Sequence, residues 1–360
     1  MSIGGDVSYK LQRPTISTVA AQARVSIKTV SRVLNNSSSV TAQTREHVME
    51  VMRKLSYRPS PTARTLAGHP SCLIGMPFDS SAVRYVTEVQ MGTLSTFRAA
   101  NYQVVMHACD AYASDVVDEI VTFVQRVRVD GIVLTPPLSH METIVEALLA
   151  HSVPVVKIAS PRRADFARNV FTNEREACAA MVTYLAGNGH DRIGFVAGPA
   201  GCTASEQRYL GYLDGLKQAD LPLLPALVKR GANTVASGMA CGRELLVQRR
   251  DQRPTAVFAS NDEMAAGVLR AAHDLQIHVP GELSVAGFED SPIASQIWPR
   301  LTTIRQPIRM MAERAAALLM DQLRAGQEQP EEHREPGLQL IESSLIVRQS
   351  TARVTQVRAA

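Results

Sequence analysis

Residues 15–35 read TISTVAAQARVSIKTVSRVLN. Ile16, Val19, Ala20, Val25, Val30 and Val33 recur at the spacing of two short amphipathic helices set around one tight turn. Thr15 can cap the first helix through its hydroxyl and Ser26 the second, each satisfying an amide that the helix itself leaves unpaired. Ala20 is small enough for the two helices to cross closely. A third amphipathic run, from about Thr41 to Leu55, turns Val48, Val51, Met52 and Leu55 inward and closes a small core. This is helix-turn-helix spacing, in which the second helix enters a major groove. Its exposed N-terminal positions are Ile27, Lys28, Thr29 and Ser31, with Arg32 one turn further on. Arg32 or Lys28 can donate to a guanine edge, while Ile27 and the Thr29 methyl can pack on a thymine methyl. Thr15 and Ser26, at the helix starts, belong to the same candidate DNA-contacting set. Lys10, Arg13, Arg45, Arg53 and Arg58 suit phosphates, which position a domain without reading sequence.

The charge follows this division. Residues 1–69 hold ten Lys/Arg against Asp6, Glu46 and Glu50, a net of about +7, whereas the whole 360-residue chain carries only +4. Polyanion binding is therefore a property of the first fifth. Composition, with 45% hydrophobic and 20% charged residues, is that of a folded protein of two or three units. The five cysteines are scattered and never spaced as CxxC, which argues against a disulfide framework and against structural zinc. The start, MSIGGDVSYKLQRP, has no apolar core of a signal peptide, and no stretch of about 18 apolar residues occurs, so no membrane partner and a cytoplasmic location are expected.

Downstream, residues 57–69 (YRPSPTARTLAGH) begin with a Pro-Ser-Pro stop and then allow one or two helical turns, with Ser60 as cap and Pro61 at the first helical position. The runs VSIKTVSRVLN and VTAQTREHVMEVMRKLSYRPSPTARTLAG resemble the LacI/GalR family of transcription regulators. The resemblance implies a hinge helix over residues 59–69 that forms on operator DNA, with Arg64 among its DNA contacts and Leu66 at the position of a leucine wedged into the minor groove. Such a wedge unstacks a base step and kinks the duplex. Packing of Leu66 on the larger domain is the alternative. Family members usually carry Gly where Arg24 stands, because that residue is left-handed; a side chain there costs roughly 1–2 kcal/mol, against which Arg24 could gain a phosphate contact. Thr18 stands where the family often has Asp, which should weaken the cap slightly.

After His69 the pattern changes to short apolar strands alternating with helices: CLIGMPF, YQVVMHA, GIVLTPP, VPVVKIA, RIGFVAGP, TAVFASND and LSVAGFED. Alternation of this kind predicts parallel sheets with crossover helices, which bind ligands just beyond the carboxyl ends of the strands. The block from Thr255 to Pro307 resembles the same family, whose effector domain has the type I periplasmic-binding-protein fold of two lobes around a cleft. The expected organisation is a tail over 1–13, a helix-turn-helix domain over 14–58, the hinge over 59–69, an effector and dimerisation domain over 70–350, and a tail over 351–360. Its N-lobe would span about 70–160 and 306–331, and its C-lobe about 161–305 and 332–350, with crossovers near 160, 305 and 332.

By the resemblance, Asn261 and Glu289 fall at ligand-binding positions, Glu289 replacing the commoner Asp. Two carboxylate oxygens suit a polyol. Ser80 and Tyr85, after the first strand, and Arg208 complete the candidate effector set, Tyr85 as an aromatic wall. Glu206 stands where a sugar-binding Arg occurs in the lactose-repressor branch, and Asn233 where an aromatic often stacks, so no known effector transfers directly. Asp262 and Asp290 are as readily helix caps as ligand contacts.

No HxH or HExxH, no GxSxG, no P-loop and no catalytic carboxylate pair appears, so neither metal, cofactor nor catalysis is indicated. The final residues lack the leucine heptads of a tetramerising coiled coil, leaving a homodimer as the expectation. The reading is a repressor that binds pseudo-palindromic operator DNA and is released by a sugar or glycoside. A purine-dependent corepressor response is the alternative within the class. A transporter's solute-binding protein would share the cleft but needs a signal peptide and no basic head, and a sugar enzyme needs a nucleophile that is not found.

Overall fold

Thr15 and Thr18 open the first helix as a reciprocal pair: the Thr15 hydroxyl accepts the Thr18 amide, and the Thr18 side chain reaches back to the Thr15 amide. A hydroxyl thus performs the backward reach that an acid usually makes in a capping box. In the computed structural model, which describes residues 14–34, 37–57, 70–80, 83–158, 168–250, 252–325 and 338–354, the chain divides into two units, Met1–Ser71 and Cys72–Ala360.

The first unit contains α1 (Ile16–Ala23), α2 (Ile27–Leu34) and α3 (Ala42–Lys54). Val19, Ala20, Val30, Val33, Val48, Val51 and Met52 form its buried core as the spacing predicts, joined by Ala23, while the expected Ile16, Val25 and Leu55 pack only partly buried at its edge. Ser26 caps α2 by accepting the Thr29 amide at 3.0 Å, and Thr41 caps α3. Arg24 is left-handed, with φ 53° and ψ 41°, and its amide closes the end of α1 on the carbonyls of Ala20 and Ala21. The turn keeps the backbone conformation that glycine adopts freely, at the strain of a side chain. Arg45 departs from its expected phosphate role. Its guanidinium donates to the Val33 carbonyl at 3.4 Å and the Ser37 carbonyl at 2.7 Å, satisfying the end of α2 from within the unit.

The second unit holds two parallel sheets, each between helical layers. The first is built from β1 (Leu73–Asp79), β2 (Gln103–Cys109), β3 (Gly131–Leu134), β4 (Val155–Ile158), β5 (Arg168–Phe171) and β11 (Leu338–Leu340), in the order β11-β5-β4-β3-β1-β2. One face packs on α4 (Val83–Ala99) and α12 (Ile308–Ala325), and the other on α5 (Val116–Val127) and α6 (Glu142–Ala150). The second sheet, order β7-β6-β8-β9, comprises β6 (Ile193–Ala197), β7 (Val228–Arg230), β8 (Ala256–Ala259) and β9 (Ser284–Ala286). It lies between α7 (Glu174–Gly187) with α8 (Thr203–Gln218) and α9 (Val235–Leu246) with α10 (Asp262–Asp274). Gly238 and Gly267 bring α9 and α10 into backbone contact: a Cβ on Gly238 would strike the Met264 carbonyl, and one on Gly267 the Val235 carbonyl.

Two expected crossovers fall later in the chain than the sequence suggested. β5 and β11 pair in parallel through Asn169↔Gln339, so both belong to the first sheet. The chain leaves that sheet after Phe171 rather than near 160, and again after Leu340 rather than near 332. RNVF and LQL are too short and too polar at their ends to announce strands, and only pairing with neighbours makes them so. Between the second sheet and α12 lies β10 (Thr303–Arg305), which pairs antiparallel with β12 (Ser344–Ile346). The short helix α11 (Pro292–Gln296) follows β9. Among the described residues no helix is long and apolar enough to cross a membrane, and no group of His, Cys, Asp and Glu could hold a metal ion.

Candidate DNA-reading surface and ligand cleft

On the first unit, α2 offers its solvent side as the spacing required. Ile27 is 51% exposed at the start of the helix, on the solvent side. Lys28 and Arg32 are exposed one helical turn apart on the same face, while Thr29 and Ser31 are partly covered. The Thr15 and Ser26 oxygens accept cap amides, and the Ser26 and Thr29 hydroxyls bond each other at 2.9 Å. These three groups therefore act first as structure, setting the angle at which α2 is presented. Arg64 and Leu66 lie outside the described residues.

In the larger unit two of the candidate ligand residues, Glu289 and Tyr85, gather near Arg208 on α8. The residue is 8% exposed, and its guanidinium donates to the Ser260 carbonyl at 2.7 Å, to Glu289 at 3.3 Å and to Glu174 at 3.1 Å. Its carbon lies 4.1 Å from the centre of the Phe288 ring, a cation–π contact. Burial by itself would push the guanidinium down; Glu174 and then Glu289 outweigh it and hold it above its usual value. Tyr85, on α4, stands in the same electrostatic field. Burial, then the Glu174 charge, raises its phenol above the ordinary range.

Glu174 and Gln306 were not found in the sequence. Glu174 opens α7 directly after the first crossing, and Gln306 stands at the second, where its amide donates to Glu174 at 2.7 Å. The crossovers thus place a carboxylate from one segment and an amide from another beside Arg208. The one usable signal was an acid at a helix start just after a strand, and the strand itself, β5, was unrecognised.

Glu289 and Asp290 are both non-glycine residues at positive φ, 106° and 54°. Such backbone costs of order 1–3 kcal/mol per residue and survives only where its surroundings impose it. The Glu289 amide donates to Ile304 at 2.7 Å, while Asp290 accepts from Arg305 at 2.7 Å and Arg348 at 2.6 Å. Asp290 is therefore a clamp between β10 and the C-terminal segment, neither a helix cap nor an evident ligand contact. Asn261 caps α10 by accepting the Met264 amide at 2.9 Å and donates to the Asn233 carbonyl at 3.1 Å. One amide hydrogen remains for a ligand. Ser80 donates to the Cys109 carbonyl at 3.1 Å, joining the ends of β1 and β2, and Glu206 is exposed on α8.

A family model described as bacterial regulatory proteins, lacI family, matches residues 15–60, and one described as a periplasmic binding protein-like domain matches residues 182–351. The HTH-type transcriptional repressor PurR of Pectobacterium carotovorum subsp. carotovorum is 31% identical over 317 residues, 87% of this chain and 92% of its own length. This chain belongs to the lacI family. The probable HTH-type transcriptional repressor ExuR of Bacillus subtilis is 30% identical over 95% of this chain and 99% of its own. Among solved structures, the lac repressor dimer bound to operator and the anti-inducer ONPF is similar with a TM-score of 0.81 and 26% identity, over 94% of this chain and 99% of its own. The complex of the transcriptional regulator CelR with cellobiose has a TM-score of 0.69 and 28% identity, over 94% of this chain and 100% of its own. As a lacI-family member the chain is a DNA-binding transcriptional regulator with a helix-turn-helix head and a two-lobed effector domain, and not an enzyme.

Asp262, the first residue of α10, illustrates how this family scaffold is tied together. It is fully buried, accepting from the Ser291 amide and the Thr303 hydroxyl, both at 2.6 Å, rather than capping its own helix. Burial pushes its carboxyl up to about 7, against the hydrogen bonds from Thr303 and Ser291. The folded value lies above the unfolded one, so the carboxyl contributes stability below pH ~4 that is lost as pH rises through about 7. Asp262→Asn keeps an acceptor for the Ser291 amide and removes the charge, its own amide donating to the Thr303 hydroxyl where the carboxylate accepted from it. Its melting temperature should exceed that of the unaltered chain at pH 8, with the gain disappearing on acidification toward pH 4. Equal melting temperatures across that range would contradict the assignment.

Proposed function

We propose that this regulator is a repressor of carbohydrate-utilisation genes whose cleft takes a saccharide or glycoside and thereby loosens its hold on operator DNA. The observation that carries the reading is the polar furniture around Arg208. Glu174 and Glu289 offer carboxylate oxygens, and the Tyr85 hydroxyl, the Ser260 hydroxyl and Arg208 Nε are buried with no hydrogen-bond partner. Buried polar groups left unpaired cost free energy, and a ligand that brings many hydroxyls supplies both donors and acceptors at once. Tyr85, partly exposed, adds an aromatic ring beside them. The cellobiose complex among the similar structures supports the same class of ligand, while the PurR relatives keep a purine corepressor as the rival.

In this mechanism two protomers present two α2 helices to half-sites one helical turn apart on a pseudo-palindromic operator. Ligand closure of the lobes and DNA affinity are reciprocally coupled, typically by about 1–3 kcal/mol. The hinge over 59–69, with Arg64 and Leu66, transmits the change.

Thermal unfolding of the full chain against mono- and disaccharides, glycosides, sugar phosphates and purines tests this, since a ligand at about 100 times its dissociation constant adds roughly 2.7 kcal/mol. A saccharide that raises the midpoint and releases DNA supports the reading. A purine that raises it and tightens DNA binding replaces it with the corepressor reading. No shift from any compound would remove Glu289, Arg208 and Tyr85 from a ligand site of these classes.

A further inference from the structure

We infer that Arg24 is a phosphate-gripping residue of the DNA-binding head, retained in a strained turn for its charge; the inference rests on the DNA-binding reading of α2. Three observations converge. First, Arg24 is left-handed at φ 53° in the turn that directly precedes the Ser26 cap, so the position favours glycine or asparagine and gains no backbone advantage from arginine. Second, its side chain is exposed and has no hydrogen bond or ion pair among the described residues, so none of these repays the strain. Third, two other bases of the unit are committed, Arg45 to the end of α2 and Lys54 to Glu50 at 2.8 Å, while the exposed Arg53 stands on α3, away from this turn in sequence. Lys28 and Arg32 lie on the α2 face that meets the bases.

Position supplies the target. Three residues separate Arg24 from Ile27, so its Cα lies within about 11 Å of the helix start that enters the groove. A major groove is about 12 Å wide and walled by phosphates, and a guanidinium at the lip of the turn reaches that wall when α2 is seated. A phosphate recognised there carries no base identity, so the contact strengthens binding to every sequence alike.

The test uses the full-length chain and a duplex of about 30 base pairs of random sequence, titrated from about 50 to about 200 mM salt. Arg24→Gly should raise the melting temperature, because the strain is relieved, and at the same time weaken duplex binding. The slope of log affinity against log salt should become shallower by about 0.9 for each bound protomer, so the affinity lost across that salt range shrinks about 3.5-fold per protomer. Arg24→Lys should keep most of the slope without the gain in melting temperature. An Arg24→Gly chain with an unchanged slope overturns the inference, and so does one that melts lower, which would make the arginine structural. Failure of the unaltered chain to bind any duplex would instead overturn the DNA-binding reading on which this one rests.

Discussion

Arg208→Met should destabilise the effector unit by about 3–5 kcal/mol, the cost of removing one partner from a buried ionic group. The arginine side chain is 10% exposed and its two carboxylate partners, Glu174 and Glu289, are 13% and 17% exposed. Methionine fills similar volume and can still lie on Phe288, so the loss is electrostatic: two enclosed carboxylates remain without their shared counter-charge. The carbonyl of Ser260 also loses its donor. Chemical denaturation of the purified chain measures the effect. The triple variant Arg208→Met, Glu174→Gln, Glu289→Gln should recover much of the lost stability, because it removes the charges together. It should nevertheless fail to respond to any ligand that shifts the unaltered chain. A single variant within about 0.5 kcal/mol of the parent would show that the carboxylates are solvated and the cluster open, a loss no larger than an ordinary surface substitution gives.

Arg32→Ala should cost about 1–3 kcal/mol of discrimination, roughly 5- to 150-fold, between the operator selected by the unaltered chain and random DNA. Arg32 is exposed on α2 one turn from Lys28 and makes no side-chain hydrogen bond or ion pair among the described residues. Its removal therefore leaves the head folded on its Val19, Val30 and Val48 core. The expected signature is a relaxed preference at one base position of each half-site, found by selecting sites from a random pool with each protein. Equal weakening on all sequences would make Arg32 a phosphate contact, the opposite assignment from Arg24 and separable from it in the same binding series.

The head was legible because its information is local. Two caps, one turn and a 3.6-residue apolar period within 40 residues specify three helices, and the exposed side of α2 follows from which side is buried. Strand-helix alternation likewise disclosed the parallel sheets. Legibility failed where a residue's role depends on chain far away in sequence. Asp290 reads locally as a cap, but Arg348, 58 residues on, claims it. Arg45 reads as a surface base, yet the carbonyls that end α2 turn inward toward it.

Sequence alone determined the head, the exposed face of α2 and the alternating α/β pattern, because periodicity and capping act over one or two turns. Tertiary structure alone decided that β5 and β11 join the first sheet, that Glu174 and Gln306 stand beside Arg208, and that Asn261 and Ser80 serve backbone groups. A four-residue strand has no stability of its own and takes its identity from hydrogen bonds to its neighbours. A buried charge likewise takes its role from whichever opposite charge the crossing segments bring within reach, which no local pattern encodes.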